Sequence, residues 1–225
     1  MPKAVVLLSG GLDSAVTLAA AINSGEEPIA LSFRYGQKHT KELDSAKAVC
    51  DHYKIEHRII NIDLSSFKSS LTDGGKEVPL DRKGKLHESI PTTYVPARNI
   101  IFLSIAVGVA ESTDADSIYI GANSVDYSGY PDCRPEFFKK YEEMISAGTK
   151  AGIEGRPIKI RTPILNLSKE EIIKKGMELG SPLHLTWSCY KGGEKACGRC
   201  DSCKLRLNGF REAGYNDEIE YEVSK

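Results

Sequence analysis

The sequence predicts an α/β fold, a Rossmann-like parallel sheet with helices on both faces, and three observations carry that expectation. Short apolar runs rich in Val, Ile and Tyr alternate with helix-length segments, the pattern that builds parallel sheets. The first run passes directly through a glycine loop into a helix. The chain has 225 residues with no internal repeat and no linker-like stretch, which suits one domain spanning 1–225.

Each element follows from its residues. Residues 3–8 (KAVVLL) form the first strand, and AVTLAAAINSG the first helix, which Gly25 closes. Residues 28–34 (PIALSFR) read as a second strand, 40–53 as a helix and 57–64 (HRIINIDL) as a third strand. Residues 65–91 are polar, without a sustained period, and read as an excursion. A strongly apolar helix over 100–111 precedes the strand 117–122 (SIYIGA), whose Ile and Tyr content marks it as central. The loop 123–135 is too rich in polar and aromatic groups for a plain connector. An amphipathic helix over 136–148 and a strand over 158–164 follow; then Ser168 and Glu171 form a capping box opening a helix that Gly180 closes. Ligands of such sheets bind beyond the carboxyl ends of the strands.

The composition narrows the function. Thirty basic and 31 acidic residues leave a formal charge of −1, which counts against a body built to track a phosphate backbone and so against a tRNA substrate. The start, MPKAVVLLSGG, has too short an apolar stretch for a signal peptide, and the apolar-rich run 100–110 is too short to span a bilayer. A cytoplasmic protein is expected. In that reducing compartment six cysteines suit metal binding better than disulfides.

The segment Ser9-Gly10-Gly11-Leu12-Asp13-Ser14 reads as a phosphate cradle. Two glycines let the backbone approach an anion, while Ser9 and Ser14 add hydroxyl donors beside the free N–H groups of a helix start. It is neither GxGxxG nor GxxxxGK[ST]. Singly, each residue also suits a tight turn or a helix cap; an apolar strand, two serines around Gly-Gly and an immediate helix together point to nucleotide binding.

Cys189, Cys197, Cys200 and Cys203 lie in SCYKGGEKACGRCDSC with spacing C-x7-C-x2-C-x2-C, and suit a tetrahedral zinc ion. Four thiolates leave no open position, so the metal is expected to be structural, ordering an embedded segment over 186–225 with Leu205, Leu207 and Phe210 docking behind it. Lys191, Lys195, Arg199, Lys204 and Arg206 read as solvent-facing charges. Cys50 reads as a small core residue, and Cys133 as a contact residue in the loop after the central strand.

SGGLDS resembles the SGGxDS loop of the PP-loop ATP pyrophosphatase superfamily, which holds ATP pyrophosphate there and transfers AMP to an oxygen. FRYGQKH, TYVPARN and GANSVDYSGYPDCRPEF, with the cysteine cluster, resemble the 7-cyano-7-deazaguanine synthase family of queuosine and archaeosine precursor biosynthesis. The resemblance implies an adenine nucleotide alpha hydrolase-like fold and a ligase that turns 7-carboxy-7-deazaguanine and ammonia into the nitrile, releasing AMP and pyrophosphate. It implies ATP, structural zinc at the four cysteines, magnesium with ATP, and a homodimer without nucleic acid or membrane partners.

On this reading Leu8, Ser9, Gly10, Gly11, Leu12, Asp13, Ser14, Ala15, Val16, Thr17 and Leu18 surround the triphosphate. Asp13, Ser14 and Arg98 take catalytic roles, Asp13 as an indirect magnesium partner or as the helix cap, Arg98 neutralising phosphate or carboxylate. Asp126 and Asp132 would accept from the guanine-like edge, Tyr127 or Tyr130 would stack, and Arg134 would meet the carboxylate. Gln37 and His39 are candidates for the adenine side. Two other classes compete: a PP-loop enzyme that adenylates a base in tRNA, and a nucleotide-binding zinc scaffold without turnover.

Overall fold

The computed structural model describes residues 1–37, 40–67, 69, 72, 80, 94–125 and 130–222. Its centre is a five-stranded parallel sheet of β1 (Lys3–Leu7), β2 (Glu27–Arg34), β3 (Glu56–Asn61), β4 (Ser117–Ile120) and β5 (Lys159–Arg161), in the order β3-β2-β1-β4-β5. Val5 lies opposite Ile29 on one side and Ile118 on the other. β1 is therefore the middle strand, and β4, an interior strand buried at all four positions, lies beside it. Near-continuous apolar strands are what a sheet covered on both faces requires.

One face carries α1 (Leu12–Asn23) and α2 (Lys41–Tyr53), packed through Ala15, Leu18, Ala46 and Val49 onto Val6 and Ala30. The other carries α3 (Arg98–Thr113) and α4 (Pro135–Gly148), whose Leu103, Ala106, Phe138 and Tyr141 meet Val5, Leu31 and Ile118. A short α5 (Lys150–Ile153) follows, and then α6 (Lys169–Glu178) and α7 (Asp201–Ala213), which close a third cluster with α1 through Val16, Ile172, Ile173 and Phe210. α6 opens with the expected capping box: Ser168 Oγ accepts from Glu171 N at 3.2 Å, and Glu171 Oε2 from Ser168 N at 2.7 Å.

The last strand is shorter than expected, because Pro163 has no N–H to continue a ladder and Ile164 turns into the third cluster instead. Most of the excursion over 65–91 lies outside the described residues. The chain order leaves β1 in one direction for β2 and β3, then crosses to β4 and β5, so β1 and β4 form the switch point where such sheets bind ligands.

Candidate active site and cysteine cluster

A cavity of about 260 Å³ opens at that switch point, lined by Leu7 and Leu8 at and just past the end of β1 and by Ile120 and Gly121 at and just past the end of β4. The glycine loop forms its floor. Gly10 has φ +87°, and a Cβ there would collide with the Glu42 carbonyl and lie 2.8 Å from Ala46 N, so only glycine lets the loop sit this close to α2. Gly121 is tightly packed but less constrained, with a Cβ 3.0 Å from Thr17 Oγ1.

The loop is braced internally. Ser14 Oγ accepts from Ser9 N at 3.2 Å and donates to the Gly11 carbonyl at 2.9 Å, and Gly11 N donates to Ser9 Oγ at 3.2 Å. Gly11 is the N-cap and supplies no side-chain acceptor, so the first-turn N–H groups of α1 keep their capacity for an anion. Asp13 Oδ1 accepts from Lys169 Nζ at 2.6 Å, both side chains being mostly buried. The first residue of α6 thus brings a cation to the cradle.

Of the predicted nucleotide residues, Leu8, Ser9, Gly11, Leu12, Asp13 and Ser14 line the cavity. Gly10 backs onto α2, Ala15, Val16 and Leu18 are core residues, and Thr17 Oγ1 donates to the Asp13 carbonyl at 2.9 Å. Arg98, Tyr130 and Gln37 also line it. Arg98 Nη1 donates to Tyr35 Oη at 3.5 Å, and Gln37 is held by Tyr35 N and the Phe33 carbonyl. Asp132 is buried, accepting from Asn99 N at 3.1 Å at the start of α3, and Arg134 is the exposed N-cap of α4; neither is among the lining residues. Asp126, Tyr127 and His39 lie outside the described residues.

Cys133 lines the cavity with its thiol pushed up to about 12 by burial and the neighbouring Asp132. A thiol so hard to ionise suits contact, not nucleophilic attack. Glu42, which the sequence reading did not single out, also lines the cavity; burial raises its carboxyl to about 7, with Arg98 opposing and Cys189 adding to the shift. Phe33 and Phe102, stacked at 4.0 Å between centroids, and Tyr35 make one wall aromatic.

The cysteine segment also contributes to the lining. Cys189, Cys197, Cys200 and Cys203 are buried, with their four Sγ atoms within 4.8 Å of one another. Sulfurs bound at ~2.3 Å around a tetrahedral ion would be about 3.8 Å apart, so a small inward movement brings these into range. Cys189 Sγ accepts from Lys191 N and Cys197 N, and Cys197 Sγ from Arg199 N and Cys200 N, at 3.3–3.5 Å, the donors a thiolate needs. The Cys189 thiol is held far below its usual value, first by the Cys200 thiol and then by Cys203. The donor set fits a thiophilic metal ion.

Two expectations for this segment need correction. Arg206 is only 2% exposed, not solvent-facing: it makes a two-point contact with Asp217 at 2.7 and 2.9 Å and donates to Thr186 Oγ1 at 2.7 Å. Leu207 is 36% exposed, because the apolar docking is done by Phe210 on the adjacent face of α7. The segment also reaches further than a structural staple: Trp187, Ser188 and Tyr190 line the cavity, and Lys41 of α2 sits 3.8 Å from the Trp187 ring centroid while donating to the Gly193 carbonyl at 2.8 Å. Sequence reasoning also missed Lys169, whose only local signal was its place at N1 beside the capping box.

A family model described as queuosine biosynthesis protein QueC matches residues 3–214. A protein named 7-cyano-7-deazaguanine synthase from Acetivibrio thermocellus is 59% identical over 222 residues, 98% of this chain and 98% of that one. One of the same name from Picrophilus torridus is 54% identical over 222 residues, covering 99% and 92%. Among solved structures, a predicted subunit of tRNA methyltransferase from Methanocaldococcus jannaschii aligns over 100% of this chain and 94% of its own with a TM-score of 0.51 at 13% identity, a likeness of fold alone. With that match over nearly its whole length, the chain belongs to the QueC family of queuosine biosynthesis proteins.

Proposed function

We propose that this protein is a carbon–nitrogen ligase that converts 7-carboxy-7-deazaguanine and ammonia into 7-cyano-7-deazaguanine at the expense of ATP. The observation that carries the reading is one cavity shared by a glycine loop suited to an anion, the cations Arg98 and Lys169 and an aromatic wall, in a chain 59% identical to a protein of that name.

The chemistry asks for little beyond positioning and charge neutralisation. The substrate carboxylate attacks the α-phosphorus of ATP and pyrophosphate departs; ammonia then displaces AMP with loss of a proton, giving the amide. The amide oxygen attacks a second ATP, pyrophosphate departs again, and loss of AMP and two protons from nitrogen leaves the nitrile. In this scheme the loop amides and Ser9 hold the departing pyrophosphate, Lys169 and Arg98 offset its charge, and Tyr130 flanks the base. Zinc is the metal proposed for the four cysteines, where it would supply structure; magnesium would enter as the counterion of ATP, with Asp13 near it. A homodimer in the cytoplasm completes the reading, and sedimentation of the purified protein tests its assembly.

Incubation with ATP, ammonium and 7-carboxy-7-deazaguanine, followed by mass analysis, tests the reaction. Nitrile, AMP and pyrophosphate are expected. ADP and phosphate would contradict adenylation, and absence of nitrile would overturn the substrate assignment.

A further inference from the structure

Among the described residues two carboxylates line the cavity, Asp13 and Glu42. Asp13 is engaged by Lys169. Glu42 sits in the first turn of α2, its carbonyl close to Gly10, and among the described residues its carboxylate enters no hydrogen bond or salt bridge, with Arg98 acting on it only as an opposing charge. The amides nearby are partly engaged: Gln37 bonds the backbone of Tyr35 and Phe33, and Asn99 donates through Nδ2 to the Asp132 carbonyl and Cys133 Sγ. Glu42 is thus the unengaged carboxylate among the described residues of a cavity whose lining also includes Phe33, Tyr35 and Phe102.

A half-buried carboxylate beside aromatic rings is costly unless a ligand brings donors to it. The 2-amino-4-oxo ring of a deazaguanine offers two parallel N–H donors, from the ring nitrogen and the exocyclic amine, spaced to meet both oxygens of one carboxylate. Adenine instead sets one amine beside acceptor nitrogens, which repel a carboxylate. On the functional reading above, on which this step rests, we infer that Glu42 reads the amidine edge of the deazaguanine and so determines which base the enzyme accepts. Burial raises the Glu42 carboxyl, with Arg98 opposing that shift and Cys189 adding to it; two donated hydrogen bonds would favour the ionised form.

The test compares 7-carboxy-7-deazaguanine with its analogue lacking the 2-amino group, in the wild type and in Glu42→Gln. In the wild type the analogue should show a KM higher by about 10- to 100-fold, the size of a lost charge-assisted hydrogen bond. In Glu42→Gln, which keeps one acceptor oxygen but loses the charge and the second acceptor, the KM for the natural substrate should rise and the gap between the two substrates shrink severalfold, with the KM for ATP and the metal content unchanged. A gap that persists in Glu42→Gln overturns the inference, as does a rise in the ATP KM equal to that for the base. Equal acceptance of both substrates by the wild type also overturns it, and that comparison needs no variant. Failure of the wild type to make nitrile overturns the functional reading and this step with it, whereas nitrile made with undisturbed discrimination in Glu42→Gln overturns this step alone.

Discussion

The backbone N–H of Trp187 donates to the Gly10 carbonyl at 2.9 Å, joining the cysteine segment to the glycine loop. Trp187 Nε1 donates in turn to the Cys189 carbonyl at 3.1 Å, so two hydrogen bonds separate the cysteine cluster from the glycine loop. The four cysteines are therefore connected to the cavity as well as to the tail. Removing the metal with a chelator, or replacing Cys200 with Ser, should lower the thermal midpoint and weaken ATP binding together. Metal binding by such sites contributes on the order of 10 kcal/mol to folding, enough to disorder the segment when lost. Trp187 is the only tryptophan in the chain, so its fluorescence reads the wall directly. A red-shifted emission after metal loss is expected; an unchanged spectrum and unchanged ATP affinity would contradict the coupling.

Lys169 should matter as much as the loop that announces the site. Its amine lies 2.6 Å from Asp13, poised over the place where departing pyrophosphate would gather charge. Replacement by Met keeps length and apolar packing while deleting the cation. A fall in kcat of about 100-fold is expected, the scale found when one stabilising donor is removed from a developing anion. The thermal midpoint should shift little by comparison, because the remaining Asp13 can still meet water through the open cavity. A loss of stability without a loss in kcat would recast the pair as structural.

What the sequence made legible and what it hid differ by the range of the contacts. The sheet and the loop were readable because their signals are local: strand runs of Val and Ile, Gly-Gly between serines, Ser168 three residues before Glu171. The cysteine cluster was readable because its spacing is short. Lys169, Glu42 and Arg206 were not, since each is a charged residue on an amphipathic helix, where the ordinary expectation is solvent, and its burial depends on a partner from elsewhere. Lys169 lies 156 residues from Asp13, and Lys41 is 152 residues from the Gly193 carbonyl it holds. Asp132 is a different case: its place in a polar loop suggests a ligand, and in the structure one of its carboxylate oxygens accepts from Asn99 N at the start of α3.

The Arg206–Asp217 pair should be costly to break. Both side chains are almost fully buried, at 2% and 3% exposure, and Tyr221 Oη donates a further bond to Asp217 at 2.5 Å. Removing one partner leaves an uncompensated charge in the interior, so Asp217→Ala should destabilise the protein by about 3–5 kcal/mol, measured by urea denaturation of the metal-loaded form. Because Arg206 also bonds Thr186 and the Leu183 carbonyl, the loss should carry into the turn before Trp187 and alter its fluorescence. A change under about 1 kcal/mol, the size typical of an exposed pair, would contradict the burial argument.

Stability should also depend on pH through His57. Ser32 Oγ donates to the Leu8 carbonyl at 2.6 Å, which spends its only hydrogen, so at 2.7 Å it accepts from His57 Nε2. The pair braces the strand end that feeds the glycine loop. Burial lowers the His57 pKa, Asp51 opposing and Lys47 assisting, so the folded protein binds this proton less readily than the unfolded chain. The sign follows from linkage: the contribution is fully present above the unfolded value of about 6.5 and is lost as pH falls through the lowered folded value. The urea midpoint of the wild type should therefore drop between about pH 7.5 and 5.5 more steeply than that of His57→Gln, which keeps an N–H donor and cannot titrate. Parallel pH profiles for the two proteins would remove His57 from the account.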